Sequence, residues 1–365
     1  MHFVIFGLSV SSSWGNGHAT LWRGLLAALA RRGHSAVFYE KDVPYYAGAR
    51  DGWEPPAGVR LRLYDSMQDI RAEASKELAH ADLAVVTSYC GDGAAAARLV
   101  LDSAAKLKVF YDLDTPVTLD ALDSGAPVAY LPEEGLSRFD LVLSFTGGRA
   151  LDELQSKLGA RRVAPLYGWV DPEIYRQVAP MEEFRSTLSY LGTYAADRQP
   201  AVIDLFVKPA EMRPVDRFVI GGAQYPQDFP WAANIYFVRH LPPWLHPAFY
   251  CSGRATLNVT RRAMAAYGYC PSGRLFEAAA CGTPILTDTW EGLETFFTPG
   301  SEILLVRNAE DVLAALSLSD AELHTIGQAA RTRALDEHTA MSRAVQLEQI
   351  LESVYGQPLE AALSS

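Results

Sequence analysis

Residues 271–294 read PSGRLFEAAACGTPILTDTWEGLE. The stretch parses as loop, short helix, glycine stop, buried strand and second loop. Ser272 stands where an N-cap belongs and Gly282 where a helix C′ residue belongs. Residues 283–288 follow as a short apolar run ending in polar residues, the pattern of a strand buried in a parallel sheet. Glu277 is out of place, because every other side chain from 275 to 281 is apolar. A carboxylate buried without partners costs several kcal/mol, so polar groups are expected to meet it. It also lies near a helix start, where free N–H groups and the dipole attract anions. A phosphate site beside a carboxylate that takes hydroxyls suits a nucleotide-sugar. A helix start with one solvent-facing Glu is the plainer alternative.

Working outward, apolar runs alternate with helical patterns along the whole chain. Strands are expected at 2–8, 36–40, 59–64, 83–87, 107–112, 140–145 and 163–167. A second set is expected at 188–192, 217–221, 234–241, 256–260, 284–288 and 303–306. Residues 20–32 put Leu21, Leu25, Ala28 and Leu29 on one helical face, and 94–105 read as another helix. Such alternation implies parallel sheets covered on both faces, with ligands bound beyond the carboxyl ends of the strands. At 365 residues two domains are expected. The reading gives an α/β chain with a first domain over 1–170, a Pro-containing linker at 171–187 and a second domain over 188–337. A final helix at 338–355 is expected to pack across both domains, with a frayed tail at 360–365.

Bulk properties narrow the function. The net charge of −11 (32 basic against 43 acidic residues) argues against a nucleic-acid or anionic-membrane partner. The four cysteines show no C-x-x-C spacing and read as small apolar residues of a reduced cytoplasmic protein rather than zinc ligands. No apolar run is long enough to span a bilayer.

Three loops carry candidate chemistry. SVSSSWGNGHAT (9–20) follows the first strand; its glycines Gly15 and Gly17 let backbone approach a ligand ahead of a helix, and Trp14, Gly15, Asn16 and Gly17 are the candidate acceptor-binding residues. The G-x-G-x-x-G dinucleotide fingerprint is absent, which disfavours a nicotinamide enzyme. His18, at the loop–helix junction, suits either proton removal from an acceptor hydroxyl or helix capping. Asp112 and Asp114 invite a metal, yet acids at i and i+2 of an extended segment diverge. An Asx turn, or one carboxylate that orients a hydroxyl, fits them better. In the second half, Gly192, Arg239, His240, Asn258, Arg261 and Arg274 lie at strand ends or the Glu277 helix start. Arg261 and Arg274 are diphosphate partners or surface arginines.

GNGHAT, DLDTPVTLDAL, SYLGTYAADRQP, TLNVTRRAM and PSGRLFEAAACGTPILTDTWEGLETFF, in this order, resemble the CgeB-like (spore-maturation type) glycosyltransferases of the GT-B fold. The resemblance spans about residues 1–350. It implies two Rossmann-like domains facing across a cleft, the acceptor bound mainly by the first and the nucleotide-sugar by the second. Glu277 matches the glutamate that accepts both ribose hydroxyls, and residues 238–241 match the loop that holds the base. Arg261 and Arg274, with backbone near Ser272 and Gly192, match the diphosphate site. Gly292 and Glu294 match the loop near donor phosphate or sugar. His18, or Asp114, would be the base of an inverting reaction. The implied activity is hexosyl transfer from a nucleoside diphosphate sugar, UDP-sugar favoured, without metal or other cofactor. Saccharide, protein and small-molecule acceptors are all compatible. The chain departs from the family's retaining members at Tyr269, where they carry a second glutamate. A sugar-nucleotide epimerase or hydrolase of the same fold, or a non-catalytic sugar-nucleotide-binding protein of surface-layer assembly, are the competing readings.

Overall fold

The computed structural model describes residues 1–355, so the expected frayed tail lies outside the described residues. The chain divides into two compact units, Met1–Tyr167 with the chain from Ala340 onward, and Gly168–Thr339.

The first unit is built on β1 (His2–Gly7), β2 (Ser35–Lys41), β3 (Val59–Tyr64), β4 (Leu83–Thr87), β5 (Leu107–Asp112), β6 (Leu141–Ser144) and β7 (Val163–Pro165). The strands pair in parallel in the order β3-β2-β1-β4-β5-β6-β7. β4, LAVVT, is buried at every position, as a parallel strand covered on both faces must be. The order reverses between β1 and β4. A crevice for a ligand opens beyond the carboxyl ends at such a switch point.

The second unit repeats the plan with β8 (Leu188–Leu191), β9 (Phe218–Gly222), β10 (Ile235–Arg239), β11 (Thr256–Asn258), β12 (Ile285–Thr287) and β13 (Leu304–Leu305). Its order is β10-β9-β8-β11-β12-β13, with the switch between β8 and β11. Each of the thirteen expected strands has a counterpart displaced by no more than a few residues at its ends. Residues 171–187, read from sequence as a linker, contribute buried Tyr175 and Phe184 to the second unit.

The first helix begins earlier than expected, at Gly17, because Asn16 caps it by accepting the His18 N–H on Oδ1. His18 therefore sits inside the first turn. The Ala340–Tyr355 helix is grouped with the first unit, where it buries Ala340, Ala344, Leu347 and Leu351. Its Glu348 takes the Arg32 guanidinium and the His34 ring, the latter at 2.7 Å. Tyr355 donates to the Asp82 carbonyl at 2.9 Å.

Candidate functional site

In the first unit, the loops after β1, β4 and β5 meet at the switch point. Glu40 of β2 is wholly buried and holds the first of them. It accepts from Ser9 Oγ at 2.8 Å, Val10 N–H at 2.8 Å, Ser11 N–H at 3.0 Å and Ser11 Oγ at 2.6 Å. Four donors on one carboxylate satisfy its charge and fix the path of the chain toward His18. Asn16 adds Nδ2 bonds to the Ser9 and Ser12 carbonyls. Trp14, Gly15 and Gly17 are exposed, and Gly15 takes φ +58°, a left-handed conformation that favours glycine.

Asp114 is the centre of this site. Its Oδ2 accepts from His18 Nε2 at 2.7 Å and from Ser88 Oγ at 3.1 Å. A carboxylate only accepts, so the His18 proton resides on Nε2. Nδ1, the other ring nitrogen, is sealed in the protein and has no hydrogen-bond partner among the described residues. Asp114 is the more accessible of the two, its side chain 22% exposed against 11% for His18. Tyr89, at φ +58°, sets its ring edge-on to the imidazole with centroids 6.2 Å apart.

Asp112 makes the Asx turn, its Oδ1 accepting the Asp114 N–H at 2.9 Å. Burial, with the neighbouring Asp114 charge, pushes its carboxyl up to about 7. The two carboxyls do not share one open face: Asp112 is enclosed and Asp114 faces His18.

In the second unit, the Glu277 helix spans Gly273–Ala280. Ser272 occupies the N-cap but its side chain does not cap the helix; Ser272 Oγ instead accepts from Arg274 Nε at 3.1 Å. The Arg274 guanidinium also donates to the Leu191 carbonyl at 2.8 Å and packs near the Tyr190 ring. Gly192 leaves room there, since a Cβ would lie 2.8 Å from Arg274 Nη1 and 2.9 Å from Tyr190 OH.

Glu277 is not solvent-facing. Its side chain is 16% exposed, Tyr250 OH donates to Oε2 at 3.3 Å, and His246 Nδ1 lies 4.0 Å away. Tyr175 OH, 3.3 Å from His246 Nδ1, stands close to the same carboxyl. Burial raises the carboxyl above its ordinary range, while Tyr175, Arg274 and Tyr250 oppose that rise. Burial also lowers His246 to about 4, so the ring is neutral at pH 7.

Arg198 joins this group without a carboxylate of its own. It is 7% exposed, donates through Nη2 to the Thr193 carbonyl, and its Nε is buried with no partner. Burial, then the neighbouring Arg274 charge, lowers its pKa. Arg261 is held by Asp197 at 3.3 Å. Asn258 is buried, donating to Thr287 Oγ1 at 3.0 Å, with Oδ1 unpartnered. Asp288 ties the loops after β11 and β12 together by accepting from Thr260 N–H at 3.1 Å and Oγ1 at 2.9 Å.

The remaining expected residues lie at the margin. Arg239 is exposed at the end of β10, while His240 takes φ +51° and donates its N–H to the Gly222 carbonyl at 2.7 Å. Glu294 is exposed in a single 3-10 turn. Gly292 is packed under Tyr269, whose Cδ1 would be 2.4 Å from any Cβ there. Tyr269 itself sits at φ +43°. Sequence reading missed Ser88, Arg198, Tyr175, His246 and Tyr250, all single residues remote in sequence from the groups they touch.

The two parallel α/β sheets of seven and six strands match the GT-B fold. Residues 198–349 match the family model described as glycosyl transferase-like. No curated protein matches the chain. Among solved structures, sucrose-phosphate synthase from Thermosynechococcus elongatus is similar at TM-score 0.70 and 14% identity, over 98% of this chain and 100% of that one. Anabaena HepE in complex with UDP and glucose follows at TM-score 0.67 and 13% identity, over 97% and 100%. The trehalose 6-phosphate synthase of Burkholderia multivorans matches at TM-score 0.63 and 13% identity, over 100% and 99%. No helix among the described residues is long and apolar enough to cross a membrane.

Proposed function

We propose that the protein is a glycosyltransferase that moves a hexosyl group from a nucleoside diphosphate sugar, UDP-sugar favoured, to an acceptor hydroxyl. The observation that carries this reading is the enclosed Glu277 carboxyl on the helix whose half-buried Arg274 lies beside the buried Arg198. Among the described residues neither arginine forms an ion pair with a carboxylate, and Glu277, which Arg274 feels at longer range, leaves the group short of anionic charge. A nucleoside diphosphate supplies it: ribose hydroxyls donate to Glu277 and phosphate oxygens accept from the arginines. The glycosyl transferase-like match over 198–349 and the UDP bound to the similar HepE structure support the same donor. The CgeB-like motif order supports the transferase class over an epimerase or hydrolase.

As the glycosidic bond breaks, charge grows on the leaving diphosphate. Fixed guanidiniums in a site of low dielectric stabilise that charge without reorganising. This reading needs no metal. On the acceptor side, Asp114 is the group that meets the hydroxyl and takes its proton as the new bond forms. His18 is a positioning residue that orients Asp114 by donating from Nε2–H. A thermal-shift series tests the donor half: UDP and UDP-sugars should raise the melting temperature, and uridine should do so much less. Stabilisation by none of these nucleotides overturns the reading.

A further inference from the structure

The second unit holds a reactive pair that the proposed donor site does not use. Cys251 lies in the last turn of the His246–Ser252 helix, and Cys281 caps the Glu277 helix. The two thiols are neighbours that influence each other's ionisation. Cys251 Sγ also lies 3.7 Å from the Cys281 carbonyl oxygen, and Val178 N–H reaches the same sulfur at 3.5 Å. Both cysteines line a cavity of about 310 Å³ bordered by Gln177, Arg254 and Gln328. Gln328 Nε2 is buried there with no partner. Gly253 and Arg254 precede β11, and Gly282, Thr283 and Pro284 precede β12, so the cavity sits at the amino ends of these strands. Asn258 and Asp288 stand at their opposite ends, so the cavity is a separate site.

The Cys251 thiol donates to the Arg176 carbonyl at 3.9 Å and the Cys281 carbonyl at 3.7 Å, and it accepts from Val178 N–H. The neighbouring Cys281 and the Val178 N–H bring the Cys251 thiol down against the effect of burial. Cys281 is pushed up by its neighbour Cys251 and by burial.

We propose that Cys251 and Cys281 form a dithiol that closes to an intramolecular disulfide when a low-molecular-weight disulfide enters this cavity. The Cys251 thiolate attacks one sulfur of the incoming R–S–S–R, forming a mixed disulfide and expelling one thiolate. Cys281 then loses its proton to that thiolate, and its sulfur attacks Cys251, expelling the second R–S⁻, which is protonated by water. Two protein thiols are oxidised and one external disulfide is reduced to two thiols. The bond must form at about 2.05 Å, so the two sulfurs and the helix ends that carry them draw together. Those helices also carry the donor carboxylate: Tyr250, adjacent to Cys251, donates to Glu277, and Cys281 N–H donates to the Glu277 carbonyl at 3.2 Å. Closure therefore shifts Glu277 against Tyr250 and weakens nucleotide binding, a consequence that rests on the proposed donor site.

The test is a redox titration of the full-length protein in reduced and oxidised glutathione, quenched in acid, alkylated and mapped by peptide mass. One Cys251–Cys281 disulfide is expected, with Cys90 and Cys270 alkylated. Cys281→Ser should stop at the Cys251–glutathione mixed disulfide, and Cys251→Ser should take up no glutathione at Cys281. A wild-type protein that stops at the mixed disulfide, or whose Cys251 stays free, overturns the proposal. UDP affinity is measured on the same samples and should fall by about tenfold on oxidation, recovering with dithiothreitol. Equal UDP affinity in both redox states overturns the coupling. A reduced protein that binds no UDP defeats the donor reading, whereas the mapped disulfide is decided by mass alone.

Discussion

Asp114 Oδ2 lies 2.7 Å from His18 Nε2, and that contact decides which imidazole nitrogen carries the proton. With Nδ1 sealed in the protein, His18 has no free basic atom to offer an acceptor. The accessible oxygen of this pair belongs to Asp114. Asp114→Asn is expected to lower kcat by about 10²- to 10⁴-fold, the range of a lost general base, with UDP affinity unchanged. His18→Ala should lower kcat less, move the acidic limb of the kcat–pH profile, and leave UDP affinity unchanged. A His18→Ala variant that loses kcat and UDP affinity in equal measure would show a structural histidine instead.

Glu277 is more costly to the fold than to the ligand-bound state. Its carboxyl is enclosed, raised by burial and held by tyrosine hydroxyls, so its removal relieves desolvation even as it leaves Tyr250 short of an acceptor. Glu277→Ala should therefore change the melting temperature little. UDP affinity should fall about 10- to 100-fold, the value of one or two hydrogen bonds to a charged acceptor. Calorimetric titration of UDP checks this, and unchanged affinity in a folded variant would sink the ribose assignment.

The legible and hidden parts of this molecule divide by range in sequence. Each strand is an apolar run bounded by polar residues or glycine, a local signal, and the misplaced charge of Glu277 is visible against its own neighbours. Arg198 is the contrary case. In AADRQP it reads as an ordinary surface arginine, and its burial exists only once the loop after β8 closes beside Arg274. Tyr175 and Tyr250 reach Glu277 from positions 102 and 27 residues away, so no window of sequence holds the set. Asp112 divides between the two: its Asx turn is a local signal, legible in the sequence, while its full enclosure depends on distant packing.

Arg198 offers a direct test of the anion deficit. A buried guanidinium with an unpartnered Nε carries a desolvation cost that a bound diphosphate would offset. Arg198→Met should leave the ligand-free melting temperature equal or higher. It should weaken UDP by about tenfold or more, one charge-assisted hydrogen bond or two, while uridine binds as before. Equal losses for UDP and uridine would remove Arg198 from the phosphate site. Because the arginines carry the leaving charge in this scheme, EDTA should leave turnover unchanged, and activity restored by a divalent ion after chelation would contradict it.

Asp112 makes the pH dependence of stability specific. Its carboxyl is raised from an ordinary 3.8 to about 7 by burial and by Asp114. Between those values the native state binds a proton that the unfolded state has lost, so stability falls as pH rises. The contribution is complete below the unfolded value and is lost by the time pH passes the folded one. Asp112→Asn keeps an oxygen to accept the Asp114 N–H and removes the titration. The carboxamide places a donor at the unpartnered Oδ2 position, so absolute stability of the variant is not the readout. The slope is: between pH 5 and pH 8 the wild type should lose up to a few kcal/mol more than the variant in denaturant titrations. Parallel curves for the two proteins would mean that Asp112 is already ionised at the lower pH and that the Asp114 loop is held by a charged pair.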